Sequence, residues 1–160
     1  TNMRDLGSPV HAKCWIQSIL EHYGDAARMG LVHKDGTTIG CGIILTSGKR
    51  ICIPWASTLR EYNNLSPNML LYWNFLKYAA DSGHARFDFG RSTTGEGTYK
   101  FKAQWGAEPK TLFWHTVYLG CQPKESKSSG KRERLASLWA RLPLWAANSL
   151  GPLLRRHISL

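Results

Sequence analysis

The sequence predicts a single α/β domain, a mixed and mostly antiparallel sheet with helices on both faces, followed by a basic amphipathic C-terminal tail. Three observations predict it. Two Ser-Pro dipeptides each open a run of apolar residues at helical spacing, Asp35-Gly36 joins two runs that read as strands, and the elements follow the order helix, three strands, helix, strand, helix, strand. A chain of 160 residues can bury a sizeable core without metals or disulfides.

In chain order, Ser8 as N-cap and Pro9 at the first helical position predict a helix along which Val10, Cys14, Ile16, Ile19, Leu20 and Tyr23 recur until Gly24. Strands are predicted over 28–34 and 37–45, flanking the Asp35-Gly36 turn, and over 50–55 after Ser47-Gly48. Ser66-Pro67 opens a second helix, to Ser82, whose Met69, Leu70, Leu71, Trp73, Phe75, Leu76, Tyr78 and Ala79 are apolar on most sides and therefore predict burial all round. A strand over 86–89, a short helix over 97–104 stopped by Gly106, and a strand over 111–119 carrying His115 on one face complete the domain, 1–121.

Residues 122–130 read as a linker and 131–160 as an amphipathic helical tail. Leu135, Leu138, Trp139 and Leu142 fall at i, i+3, i+4 and i+7 in a helix halted by Pro143. The apolar stretch 142–154 is interrupted by Pro143, Asn148, Gly151 and Pro152 and is too short to span a bilayer. It has two readings: peripheral contact with a membrane, helped by Trp139, Trp145, Arg155 and Arg156, or docking on protein.

Composition narrows the chemistry. Hydrophobic content of 42%, with 7 Trp, 6 Tyr and 5 Phe, belongs to a folded chain. The four cysteines form no C-x-x-C pair and read as free thiols in a reducing, cytoplasmic setting. The opening TNMRDLGSPVH lacks a basic start followed by an apolar run, so no signal peptide is expected in it. Net charge is +10, and residues 122–160 hold eight Lys/Arg against two Asp/Glu, which suits anionic partners. The six histidines show no ligand spacing, and no metal or other cofactor is expected. There is no G-x-S-x-G for a nucleophilic serine, and the lone G-x-G at Gly95 and Gly97 lacks a dinucleotide context. DNA binding has no helix-turn-helix to rest on.

The segment from Arg86 to Pro109 concentrates the candidate chemistry. Phe87 and Phe89 alternate with Asp88, which leaves the carboxylate directed across the strand, and Arg91 and Ser92 emerge at the strand's end. Tyr99, Lys100, Phe101, Lys102 and Trp105 follow at spacings suited to a short helix with an aromatic face. Asp88 reads equally as a base or amine-orienting carboxylate and as an ion-pair partner of Arg86 or Arg91. On their own, Lys100 and Lys102 would read as a solvated face, and Tyr99 and Trp105 as core.

The phrases FDFGRS and GTYKFKAQWGAEP, with PWASTLREYN and SPNMLLYW before them and RLPLWAANSLGPLLRRH after, resemble the C-terminal half of FemAB-like acyltransferases of the GNAT superfamily, closest to the branch associated with exosortase and PEP-CTERM sorting. The resemblance spans nearly the whole chain. It implies a GNAT-like lobe, the second of two, with an N-terminal lobe outside this sequence. It also implies acyl transfer to an amine in cell-envelope or exopolysaccharide biology, with an aminoacyl-tRNA or acyl thioester as donor. Phe101 and Lys102 inherit donor positioning and charge stabilisation, and Asp88 stands beside them as the candidate catalytic carboxylate on its strand position. Arg60, Glu61, Tyr62 and Asn63, in the loop where an acetyl-CoA-using GNAT carries its glycine-rich pyrophosphate loop, become candidate substrate contacts together with Arg91, Ser92, Tyr99, Lys100, Phe101 and Trp105. That loop has no glycine here, which speaks against acetyl-CoA. The alternative function is a non-catalytic module binding an anionic glycan, a lipid-linked sugar or RNA.

Overall fold

A computed structural model describes residues 2–115, 117 and 129–157. The elements are α1 (Asn2–Asp5), α2 (Lys13–Tyr23), β1 (Ala27–Lys34), β2 (Thr37–Ser47), β3 (Arg50–Thr58), α3 (Pro67–Asp81), β4 (Arg86–Asp88), α4 (Gly97–Ala103), α5 (Ser129–Ala140) and α6 (Leu144–Arg155), with 3-10 turns at Gly24–Ala26 and Arg60–Leu65. The sheet order is β1-β2-β3-β4, antiparallel except for the parallel β3–β4 pair.

Both faces carry helices. Arg28, Gly30 and Val32 of β1 lie opposite Ile44, Gly42 and Gly40 of β2, and this face takes α3. The approach is close because the strands lack side chains there: a Cβ on Gly30 would come within 2.7 Å of the Phe75 ring, and one on Gly42 within 2.9 Å. The core under α3 is Val32, Ile39, Ile44, Ile51, Ile53, Leu71, Tyr72, Phe75 and Ala79. On the other face Trp55, opposite Ile43, meets Trp15 of α2 edge-on at 5.0 Å.

The hairpin, the helix opened by Ser66-Pro67 and the strand at Arg86 form as the sequence predicts, and four expectations are corrected. Pro9 does not start a helix. It is buried, α2 begins at Lys13, and Val10 and His11 are used for packing, against Gly151 and on the Trp15 ring respectively. The second helix is buried on one side only. Leu70 and Trp73 are exposed, because α3 covers a single sheet and nothing described lies on its outer side. The strand expected over 111–119 is absent among the described residues, 111–115 and 117, and His115 lies in an exposed irregular segment. In the 142–154 stretch Pro143 does separate α5 from α6, but Asn148, Gly151 and Pro152 lie inside a continuous α6. The linker expected at 122–130 lies outside the described residues apart from 129 and 130, which open α5. Among the described residues no helix is long and apolar enough to cross a membrane.

Candidate active site

The parallel pairing of β3 with β4 lasts only from Arg50 to Cys52, against Arg86 to Asp88, while β3 continues to Thr58. The sheet therefore opens at the carboxyl ends of two parallel strands, the place where α/β sheets bind ligands. The ladder to β2 decides which backbone groups face the opening. Leu59 N–H donates to Ile39 C=O, so hydrogen-bonded pairs recur at every second residue and the N–H of Ala56 points away from β2, toward the gap.

Asp88 stands at the base of this opening. Its Oδ2 pairs with the Arg50 guanidinium and its Oδ1 accepts the Gly90 N–H at 2.7 Å. Partial burial pushes the Asp88 carboxyl up. The Gly90 N–H, Arg50 and the nearby Lys102 charge outweigh it, leaving the group below the usual carboxylate range. The ion pair expected with Arg86 or Arg91 is made instead by Arg50. Arg50 sits opposite Arg86 in the parallel register, a neighbour of Asp88 across strands that sequence spacing does not reveal.

Lys102, from α4, reaches the same spot. Its Nζ donates to Gly90 C=O at 3.1 Å and to Arg91 C=O at 2.8 Å. Burial lowers its pKa below the usual lysine value, with Asp88 pulling the other way. Two of the three ammonium protons are thereby used, and one remains for a substrate oxygen. Beneath α4, Phe101 meets Tyr72 edge-on at 4.9 Å and Tyr72 stacks on Phe89 at 5.9 Å, so an aromatic floor fixes the helix that carries the lysine. Tyr72, which helical spacing alone does not single out, has its phenol pKa raised by burial.

The other candidates divide around this centre. Phe101 and Trp105 pack against the core, the Trp105 Nε1 buried without a hydrogen-bond partner among the described residues, and Tyr99 is half-buried. Lys100 and Ser92 are exposed, and the Arg91 guanidinium lies 5.3 Å from the Trp114 ring. Of the Arg60–Asn63 group, Tyr62 packs against the core. Arg60 and Glu61 line a separate cavity of about 140 Å³ with Asp5 and Leu59, and Asn63 is exposed. Arg60 approaches Asp5 at 3.7 Å rather than Glu61, and Asp5, held by the adjacent Arg4, has a lowered pKa.

Around the turn at Arg60–Leu65 several amides are used locally: Tyr62 N–H donates to Leu59 C=O, Ser66 N–H to Asn63 C=O, and Met69 and Leu70 N–H to Ser66 C=O. Pro67, at the start of α3, has no N–H to offer.

The chain is thus a four-stranded mixed sheet that opens beside a parallel strand, with helices on both faces. Residues 1–103 match the acetyltransferase (GNAT) domain model, and the chain belongs to that family. Similar solved structures include aminoglycoside N-acetyltransferase AAC(6')-Iy in complex with CoA, 13% identical over 66% of this chain and 88% of that one, with a TM-score of 0.52. The same enzyme with the bisubstrate analogue CoA-S-monomethyl-acetylneamine is 14% identical over 69% and 84%, with a TM-score of 0.54. Ribosomal-protein-alanine N-acetyltransferase from Brucella melitensis biovar Abortus 2308 is 13% identical over 63% and 79%, with a TM-score of 0.50. At these identities the likeness is one of fold. No protein of curated function matches the sequence.

Proposed function

We propose that the domain transfers an acyl group to an amine, at the opening between β3 and β4, as the second lobe of a FemAB-like N-acyltransferase working in the cytoplasm on cell-envelope or exopolysaccharide precursors. The observation that carries the reaction type is the meeting of Asp88 and Lys102 on Gly90. An acceptor ammonium finds a carboxylate with lone pairs still open, and the acyl oxygen finds a lysine proton, with the Ala56 N–H a further donor along the strand edge. The amine must lose a proton before it attacks the acyl carbon. Asp88 orients it while water accepts that first proton, since a carboxylate held below its usual range is a weak base, and the second N–H proton passes to the departing sulfur or ribose oxygen after attack. Attack forms the new C–N bond, and collapse of the tetrahedral oxyanion breaks the bond to the donor's thiol or ribose oxygen.

The FemAB-like and exosortase-associated assignment rests on FDFGRS and GTYKFKAQWGAEP. The Arg60–Leu65 turn has no glycine, and the Tyr62 and Ser66 amides are used locally, which supports a donor held through its acyl end, whether an aminoacyl-tRNA or an acyl thioester. The test is a screen of the intact protein for transfer to amino-sugar and peptide amines, with donors of both kinds and with coenzyme A alone in thermal shift. Transfer from an acyl donor, with no shift from coenzyme A alone, is expected. Tight binding of coenzyme A would overturn the donor assignment. Ligand binding without transfer from any donor would favour a non-catalytic module instead.

A further inference from the structure

The tail turns two different faces in two directions. Its small and anchored residues face the domain: Ala146, Ala147, Gly151 and Arg155 of α6 are buried, and Gly151 lies so close to Val10 that a Cβ would come within 2.9 Å of it. Arg155 Nε donates to His11 Nε2 at 3.3 Å, Arg4 donates to Leu142 C=O at 3.3 Å, and Gly7 abuts Ala136 of α5. Its large apolar residues face outward. Leu150, Leu153 and Leu154, at i, i+3 and i+4 on one strip of α6, are 47%, 51% and 46% exposed, and Trp145 is 75% exposed.

The charged side chains of α6 and of the segment leading into it are basic. Arg134, Arg141 and Arg156 are exposed, and residues 134–157 contain no Asp or Glu. From this geometry we propose that the outer face of α6, with its flanking arginines, is a docking surface for an anionic lipid bilayer. The leucine strip enters the boundary between headgroups and acyl chains, Trp145 sits at headgroup level, and the arginines meet lipid phosphates. A second copy of the chain is a poor occupant, because it would set arginines against arginines. RNA would answer the arginines and leave the leucine strip wet. The docking is peripheral, since no described helix is long enough to cross the bilayer. It is independent of the acyl-transfer reading.

The test is co-sedimentation of the intact protein with phosphatidylcholine vesicles, with and without phosphatidylglycerol. Binding to the phosphatidylglycerol vesicles alone is expected, weakened by salt. It should fall by about tenfold or more in Leu150→Ser/Leu153→Ser, whose substituted positions are half exposed and whose thermal unfolding should be unchanged. Tryptophan emission should shift to the blue on vesicle addition, and Trp145→Phe should remove that part of the shift, a readout that stands if the double variant unfolds. Absence of binding to the anionic vesicles, equal binding by the folded double variant, or a face protected by another segment of the same polypeptide would each overturn the proposal. Salt-sensitive RNA binding without vesicle binding would do the same.

Discussion

Asp88 and Lys102 grip the same residue. The Asp88 carboxylate accepts the N–H of Gly90 at 2.7 Å while the Lys102 ammonium donates to the C=O of Gly90 at 3.1 Å. One side chain comes from the strand and the other from the helix that follows the turn, so the clasp fixes the backbone between them. It also sets opposite charges near each other, which stabilises the carboxylate's charge and offsets the burial of the lysine.

Gly90 makes the clasp possible by adopting φ +71, a left-handed conformation. A Cβ there would lie 3.7 Å from Ile53 O, ordinary contact, so the cost of substitution is torsional. Gly90→Ala should lose about 1–2 kcal/mol, Gly90→Asn less and Gly90→Val more, as read by urea denaturation.

The α3 face of the sheet makes a packing prediction. Gly30→Ala and Gly42→Ala each drive a methyl into the Phe75 ring and should cost about 1–3 kcal/mol. Denaturant midpoints should fall with the slope m unchanged. A loss of less than half a kilocalorie in both would mean that α3 packs more loosely than described.

The contact of His11 with Arg155 should make the tail's docking sensitive to acid. Burial, and then the Arg155 charge, lower the His11 pKa below the ordinary imidazole value of 6.5. The unfolded state therefore binds the proton more readily, and stability rises with pH across this range. The penalty is absent above 6.5 and grows as pH falls from there through the lowered value. Thermal unfolding between pH 7.5 and 5 should show the decline in the wild type and a smaller one in His11→Gln.

Much of the fold was legible because its signals are local. Asp35-Gly36 turns a hairpin, Pro67 opens α3 and Gly24 closes α2 through dihedral preferences that neighbours do not override. Pro9 carried the same local signal and lost to tertiary contacts, since Val10 and His11 are claimed by α6 and Trp15. Apolar content overstated the burial of α3, because composition does not say how many layers a domain has. At the site, Asp88 and Lys102 were visible as residue types beside a strand end, whereas Arg50 lies 38 positions from Asp88 and is brought to it by register. The Ala56 N–H carries no side-chain signal.

The most direct test is the rate of acyl transfer by Asp88→Asn and Lys102→Ala beside the wild type, with the donor and amine identified by the screen and unfolding measured in parallel. Both variants are expected to fold and to lose kcat on the order of 10²-fold, with KM for the donor changed far less. Wild-type kcat in both folded variants would contradict the assignment of the reaction to this clasp.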